Sequence, residues 1–214
     1  MWWDAGEVFR DRHDAGERLA KVLAPRIEGP AVVLGIPRGG VIVAAPVARE
    51  LGAPLDVVVP RKLGAPGNRE LGIGAVAPGI RVIDERLVRR LNVPEDYLER
   101  EVAEQEAEIS RRLAAYRGGR EAPDLRGRTV VVVDDGVATG VTAIASLRWV
   151  RANGAARTVF AAPVGPRGVC EALSAECDEC FVLETPASFS AVGEWYEAFV
   201  QVDDEEVRRV LEPE

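Results

Sequence analysis

The sequence predicts an α/β fold, a parallel β-sheet flanked by helices on both faces. Five short runs, at 31–35, 55–60, 128–135, 156–164 and 179–184, are largely apolar and bounded by Gly, Pro or charged residues, the pattern of strands buried on both faces. Stretches with helical spacing lie between them, and buried strands alternating with helices imply a parallel sheet. Special loops follow the first three runs: PRGG, RKLG and DDGVATGVT. In such sheets ligands bind beyond the carboxyl ends of the strands, where the strand order switches.

Taken in order, 10–27 opens with a helix carrying Ala15, Leu19, Val22 and Leu23 at helical spacing. AVVLG at 31–35 is the first strand, ended by Gly and Pro. A helix over 41–53 follows, with Pro46 expected near its first turn. LDVVVP at 55–60 is the second strand. The stretch RKLGAPGNRELGIGA, 61–75, holds four glycines and no helical or strand period, so it reads as a flexible loop. IGAVAPGIRVI, 73–83, reads as a hairpin turning at Pro78 and Gly79. A long helix runs from about Pro94 to Arg117, with Glu95 and Asp96 at its positive end. Leu98, Val102, Ile109, Leu113 and Tyr116 form its narrow apolar stripe. The third strand, 128–135, leads into a helix over 142–155 with Gly154 as its C-cap. A fourth strand, a short helix and a fifth strand complete the core. The tail from 185 is aromatic-rich and then helical.

The 214 residues fit one domain spanning 1–214, and 47% hydrophobic residues are ample for its core. A net charge of −8 argues against a general nucleic-acid binder, which needs a basic face. No run approaches the ~18 apolar residues of a membrane span. The N-terminus, MWWDAGEVFRDRHD, has charges where a signal peptide needs an apolar segment, so the expected location is cytoplasmic. Cys170, Cys177 and Cys180 read as reduced structural thiols. A metal site there lacks a fourth ligand, because the single histidine, His13, is distant and sits on the surface of the first helix.

DDGVATGVT combines two chemistries. Gly136, Ala138, Thr139, Gly140, Val141 and Thr142 form a small loop at a helix start, suited to cradling one phosphate through backbone N–H groups and hydroxyls. It lacks the G-K-[ST] of a Walker loop. Asp134 and Asp135 would repel that phosphate, so they suit another part of the same ligand, such as sugar hydroxyls. The plainer alternative is a strand–turn–helix whose acids cap the helix. Arg38, beside Gly39 in GIPRGG, can hold an anion bidentately. Arg61 and Lys62 stand at the root of the Gly-rich stretch, which has the length of a lid. Lys62 is one of only two lysines in a chain whose default cation is arginine.

VVVVDDGVATGVTA resembles the phosphoribosyl-pyrophosphate (PRPP) motif of the type I phosphoribosyltransferases, and PRGG resembles that family's pyrophosphate loop. The resemblance covers about 30–165. It implies a Rossmann-like core over about 30–184, a flexible lid at 61–83, and a small hood from 185–200 with the N-terminal helix. It implies that Asp134 and Asp135 hold the ribose hydroxyls, that 138–142 wraps the 5-phosphate, and that Arg38 and Gly39 meet the pyrophosphate through an unusual peptide bond just before Gly39. Arg61 and Lys62 would approach the pyrophosphate from the lid, with Asp134, Asp135 and Lys62 as the catalytic set. Mg²⁺ would be bound mainly by PRPP and water, with no firm protein ligand. The implied activity is transfer of ribose 5-phosphate to a small planar base with pyrophosphate release, a step of nucleotide metabolism. The alternative is a PRPP- or nucleotide-sensing regulator without transfer. A response-regulator-like receiver would need acids at the end of the first strand, where GIPRGG stands. Phe189, Trp195, Tyr196 and Phe199 either stack on the acceptor or serve packing or a homodimer interface.

Overall fold

The computed structural model describes residues 8–212. The signal-peptide reading rests partly on 1–7, outside that range. Its strands are β1 Ala31–Gly35, β2 Leu55–Val57, β3 Arg61–Ala65, β4 Asn68–Ala77, β5 Ile80–Ile83, β6 Thr129–Val133, β7 Arg157–Val164 and β8 Glu179–Glu184. Its helices are α1 Arg12–Leu23, α2 Gly39–Leu51, α3 Glu85–Arg90, α4 Glu95–Arg117, α5 Val141–Ala152, α6 Val169–Leu173 and α7 Asp204–Leu211.

The apolar runs form a five-stranded parallel sheet in the order β2-β1-β6-β7-β8. Alternation along each strand separates two cores. Val33, Val131, Val133 and Ala161 face Leu19 and Leu23 of α1 and Val43 and Val47 of α2. Val32, Leu34, Val130, Val132 and Phe160 face Leu147 and Val150 of α5 and Leu173 of α6. Valines that are buried on both faces explain why these strands carry no polar alternation. The strand order reverses between β1 and β6. Gly35 pairs with Val133, so these two strands end level and open a crevice between their following loops.

A second, antiparallel sheet, β3-β4-β5, corrects the reading of 61–75 as an unstructured loop. Its glycines answer to close approach and not to flexibility. A Cβ on Gly74 would strike Val82 O, and one on Gly64 would lie 2.8 Å from Arg69 Cα. The hairpin expected at Pro78 and Gly79 is β4–β5. The sheet packs on α5 through Ala75, Ala77 and Ala145, and on α4 through Leu63, Ile73, Val102 and Ile109. Residues 66–71 at the tip are exposed.

Three further corrections concern local chemistry. Pro46 lies deep inside α2, because that helix starts earlier than expected, at Gly39. Gly16 of α1 lets the two helices touch there: a Cβ on it would lie 2.5 Å from Val43 O and 2.9 Å from Pro46 Cγ. The short helix α3 was missed; it buries no residue, so no apolar stripe announces it. Cys170 and Cys180 form a disulfide, which overturns the reading of three reduced thiols. The chain returning from α6 into β8 brings their Cα atoms to 5.4 Å, within bridging distance. Cys177 stays free and buried, and burial pushes its thiol above the ordinary value.

His13 is exposed, as expected. α4 begins after Pro94 and buries Val102, Ile109 and Tyr116. It also buries Glu101 and Gln105, which the apolar stripe did not indicate. Arg117 at its end pairs with buried Asp56 of β2 at 2.9 Å. No helix among the described residues is long and apolar enough to cross a membrane.

Candidate functional site

The crevice between β1 and β6 holds a cleft of about 510 Å³. Arg38, Gly39, Arg61, Lys62, Asp134, Asp135 and Thr142 line it, as the sequence suggested. So do Phe199, which the sequence offered as an acceptor contact, and Arg12 and residues 201–202, which it did not.

Asp134 and Asp135 follow β6 directly, so the buried valines fix where the two carboxylates stand. Burial first, then the adjacent Asp135, pushes the Asp134 carboxyl well above the usual carboxylate range. The Asp135 N–H donates to Asp134 Oδ1 at 2.9 Å and tempers that rise. Asp135 is paired instead: Arg12 Nε donates to its Oδ2 at 2.7 Å. The Tyr196 hydroxyl donates to the Asp135 carbonyl at 2.6 Å. Neither acid caps α5, whose N-cap is Gly140 at φ +73° without a side-chain cap bond. The capping alternative is therefore excluded.

The first N–H groups of α5 have no partner within the helix, which suits an anion. Of the loop beyond the acids, only Thr142 lines the cleft; Ala138 and Thr139 are exposed just outside it. Val137 has no donor to spare, since its N–H goes to Val164 O at 2.9 Å. Gly136 is small for a different reason than backbone turning: a Cβ would strike Val192 of the tail.

In the turn after β1, Arg38 is the N-cap of α2 and stands 3.9 Å from Asp204 of α7. Asp204 also accepts from the Tyr116 hydroxyl at 2.7 Å. The non-proline cis peptide joins Pro37 to Arg38, one bond earlier than expected. The Arg38–Gly39 bond belongs to the start of α2, where the Arg38 carbonyl already accepts from Val41 N–H. Arg61 Nε donates to Gln105 Oε1 at 2.9 Å, which moors the β3-β4-β5 sheet to α4. Burial, and then Arg112, lowers the Arg61 pKa. Lys62 is exposed and has no side-chain partner among the described residues, and its stem lies across Gly72.

The phosphoribosyl transferase domain model matches residues 11–203. The chain belongs to the phosphoribosyl transferase domain family. Two strains of Mycobacterium tuberculosis carry a protein named provisionally as a phosphoribosyl transferase, 44% identical to this chain over 207 residues. The match takes in 96% of this chain and 47% of those proteins, so the chain spans about half the length of the curated relatives it matches. The crystal structure of TT1426 from Thermus thermophilus is 46% identical, covering 95% of this chain and 97% of that one, with a TM-score of 0.80.

In this phosphoribosyl transferase domain the aromatic tail divides. Phe189, Trp195 and Tyr196 pack with Phe9 and Val164 beside the site. Phe199 reaches the cleft, with the Arg12 guanidinium 3.9 Å above its ring centre. Arg12 was missed because nothing local marks it. It opens an ordinary amphipathic helix, and its partner lies 123 positions away.

Proposed function

We propose that this chain is a Mg²⁺-dependent phosphoribosyltransferase, which moves ribose 5-phosphate from PRPP to a small planar nitrogenous base and releases pyrophosphate. The observation that carries this is one cleft lined by two complementary chemistries. Asp134, Asp135 and Thr142 at the start of α5 line it together with Arg38, Arg61 and Lys62. Asp134 and Asp135 suit the ribose hydroxyls, and Thr142 with the 138–142 loop suits the 5-phosphate. The cations suit the pyrophosphate. Breaking the bond from C1 to pyrophosphate develops positive charge on the sugar, as in glycoside cleavage, and the carboxylates oppose that charge. Arg38, Arg61 and Lys62 stabilise the leaving oxygens. The exposed hairpin tip at 66–71 would cover the cleft and exclude water.

The donor set fits Mg²⁺ in a limited way. Among the described residues no three His, Cys, Asp or Glu side chains gather to hold a metal. Asp134 and Asp135 offer hard oxygens to an ion that keeps most of its shell as water and ligand. When bound, the ion would offset charge on the pyrophosphate.

Calorimetry with PRPP and Mg²⁺, followed by pyrophosphate release against a panel of bases, tests the proposal. Binding and release for at least one base are expected. Binding without release would favour a PRPP-sensing regulator, and no binding would remove both readings. Asp135→Asn should cut transfer at least about a hundredfold while circular dichroism stays unchanged. A fully active variant would take the carboxylate out of the chemistry.

A further inference from the structure

Arg12 makes contacts that its place in α1 does not require. Its Nε donates to Asp135 Oδ2 at 2.7 Å, and one terminal nitrogen donates to the Val200 carbonyl at 2.7 Å. Its guanidinium covers one face of Phe199. The side chain is only 10% exposed. Gly39 closes the remaining side, since a Cβ there would lie 2.6 Å from Arg12 Nε. One planar cation thus joins the acid loop after β6, the turn into α2 and the 199–202 wall. A fork of fixed donors suits this better than a lysine ammonium, which offers no such planar spread.

We propose that Arg12 is a positioning residue: it holds Asp135 in the orientation that receives the donor sugar and locks the 199–202 wall to that same carboxylate. This rests on the phosphoribosyl-transfer reading of the cleft. Arg12 takes Oδ2 of Asp135, Tyr196 takes its carbonyl, and its N–H goes to Asp134. These contacts fix the Asp135 carboxylate at the edge of the cleft that would receive the sugar. The same cation sets the distance between the donor sugar and whatever rests on Phe199.

A double-mutant cycle on PRPP affinity, measured by calorimetry with Mg²⁺ on the full chain, tests this. Arg12→Ala should weaken binding roughly tenfold to a hundredfold. In an Asp135→Asn background it should cost little more, because the route runs through that carboxylate. Methylguanidinium added to Arg12→Ala should restore part of the loss by refilling the site between Asp135 and Val200. Arg12→Lys should fall between the wild type and Arg12→Ala. If the two substitutions act additively and methylguanidinium does nothing, Arg12 is merely structural and the inference is overturned. If wild-type protein binds no PRPP, the transfer reading fails and takes the inference with it.

Discussion

Gly39 has space for a hydrogen and nothing larger. A methyl group there would overlap Asp135 Oδ2 and press on Arg12. Gly40 is confined in the same way, by Val133 O at 2.7 Å and Asp134 Cα at 2.9 Å. The glycines of PRGG therefore bring the acid loop against the turn into α2, a role that the sequence did not disclose. Gly39→Ala should cost roughly 1–3 kcal/mol in urea unfolding and abolish detectable PRPP binding. Retained binding would mean that Asp135 has freedom the packing denies it. Glu108 gives a pH-dependent case. Hydrogen bonds from Arg111, and then Arg112, lower its pKa from 4.5 to about 2. A depressed carboxylate stabilises the fold above its unfolded value and loses that contribution as pH falls toward 2. The pair is partly exposed, so Glu108→Gln should cost on the order of 1 kcal/mol at pH 7, and its difference from wild type should vanish near pH 2. A difference that persists at pH 2 would point to packing and not charge.

At the scale of elements, the parallel strands were legible because burial on both faces leaves runs such as VVVV with no competing period. The long helix was legible from Pro94, its acidic first turn and its stripe. The β3-β4-β5 sheet was only half legible, since Gly64, Gly72 and Gly74 erase the alternation while serving close contacts. Among site residues, Arg38, Arg61, Lys62, Asp134 and Asp135 stand in local motifs and could be named. Phe199 stood out as an aromatic of the tail, whereas Arg12 and residues 201–202 come from distant chain and could not be named. The lid sheet also differs from a free loop in what holds it. Ala75, Ala77 and Ala145 form one fully buried cluster. Ala145→Leu should overfill that contact, costing about 1–3 kcal/mol. Hydrogen exchange should then speed up in 61–83 well before β1 or β6 responds. Uniform acceleration would show that the small sheet and the central sheet open together.

Over the whole molecule, the Cys170–Cys180 bridge closes a short loop around α6, whose Leu173 packs with Val137 and Ala143 beside the loop that leads into α5. By loop entropy it should contribute about 2–3 kcal/mol, so a thiol reductant should lower the melting temperature by roughly 5–10 °C. Cys170→Ser should erase that sensitivity and Cys177→Ser should keep it; reductant-insensitive wild type would argue against the bond. The two ends of the described chain also meet at the site. Phe9 N–H donates to Trp195 O, Glu197 N–H to Phe9 O, and Ala198 N–H to Arg10 O. This seam has a kinetic meaning. The contact from Arg12 to Val200 spans 188 positions, among the slowest kinds of closure a chain can make. During synthesis β1, β6 and their acids emerge and can pack while Arg12 still waits for a partner. On that order the cleft should close last, and a nascent chain holds Asp134 and Asp135 before it owns the 199–202 wall that Arg12 ties to them.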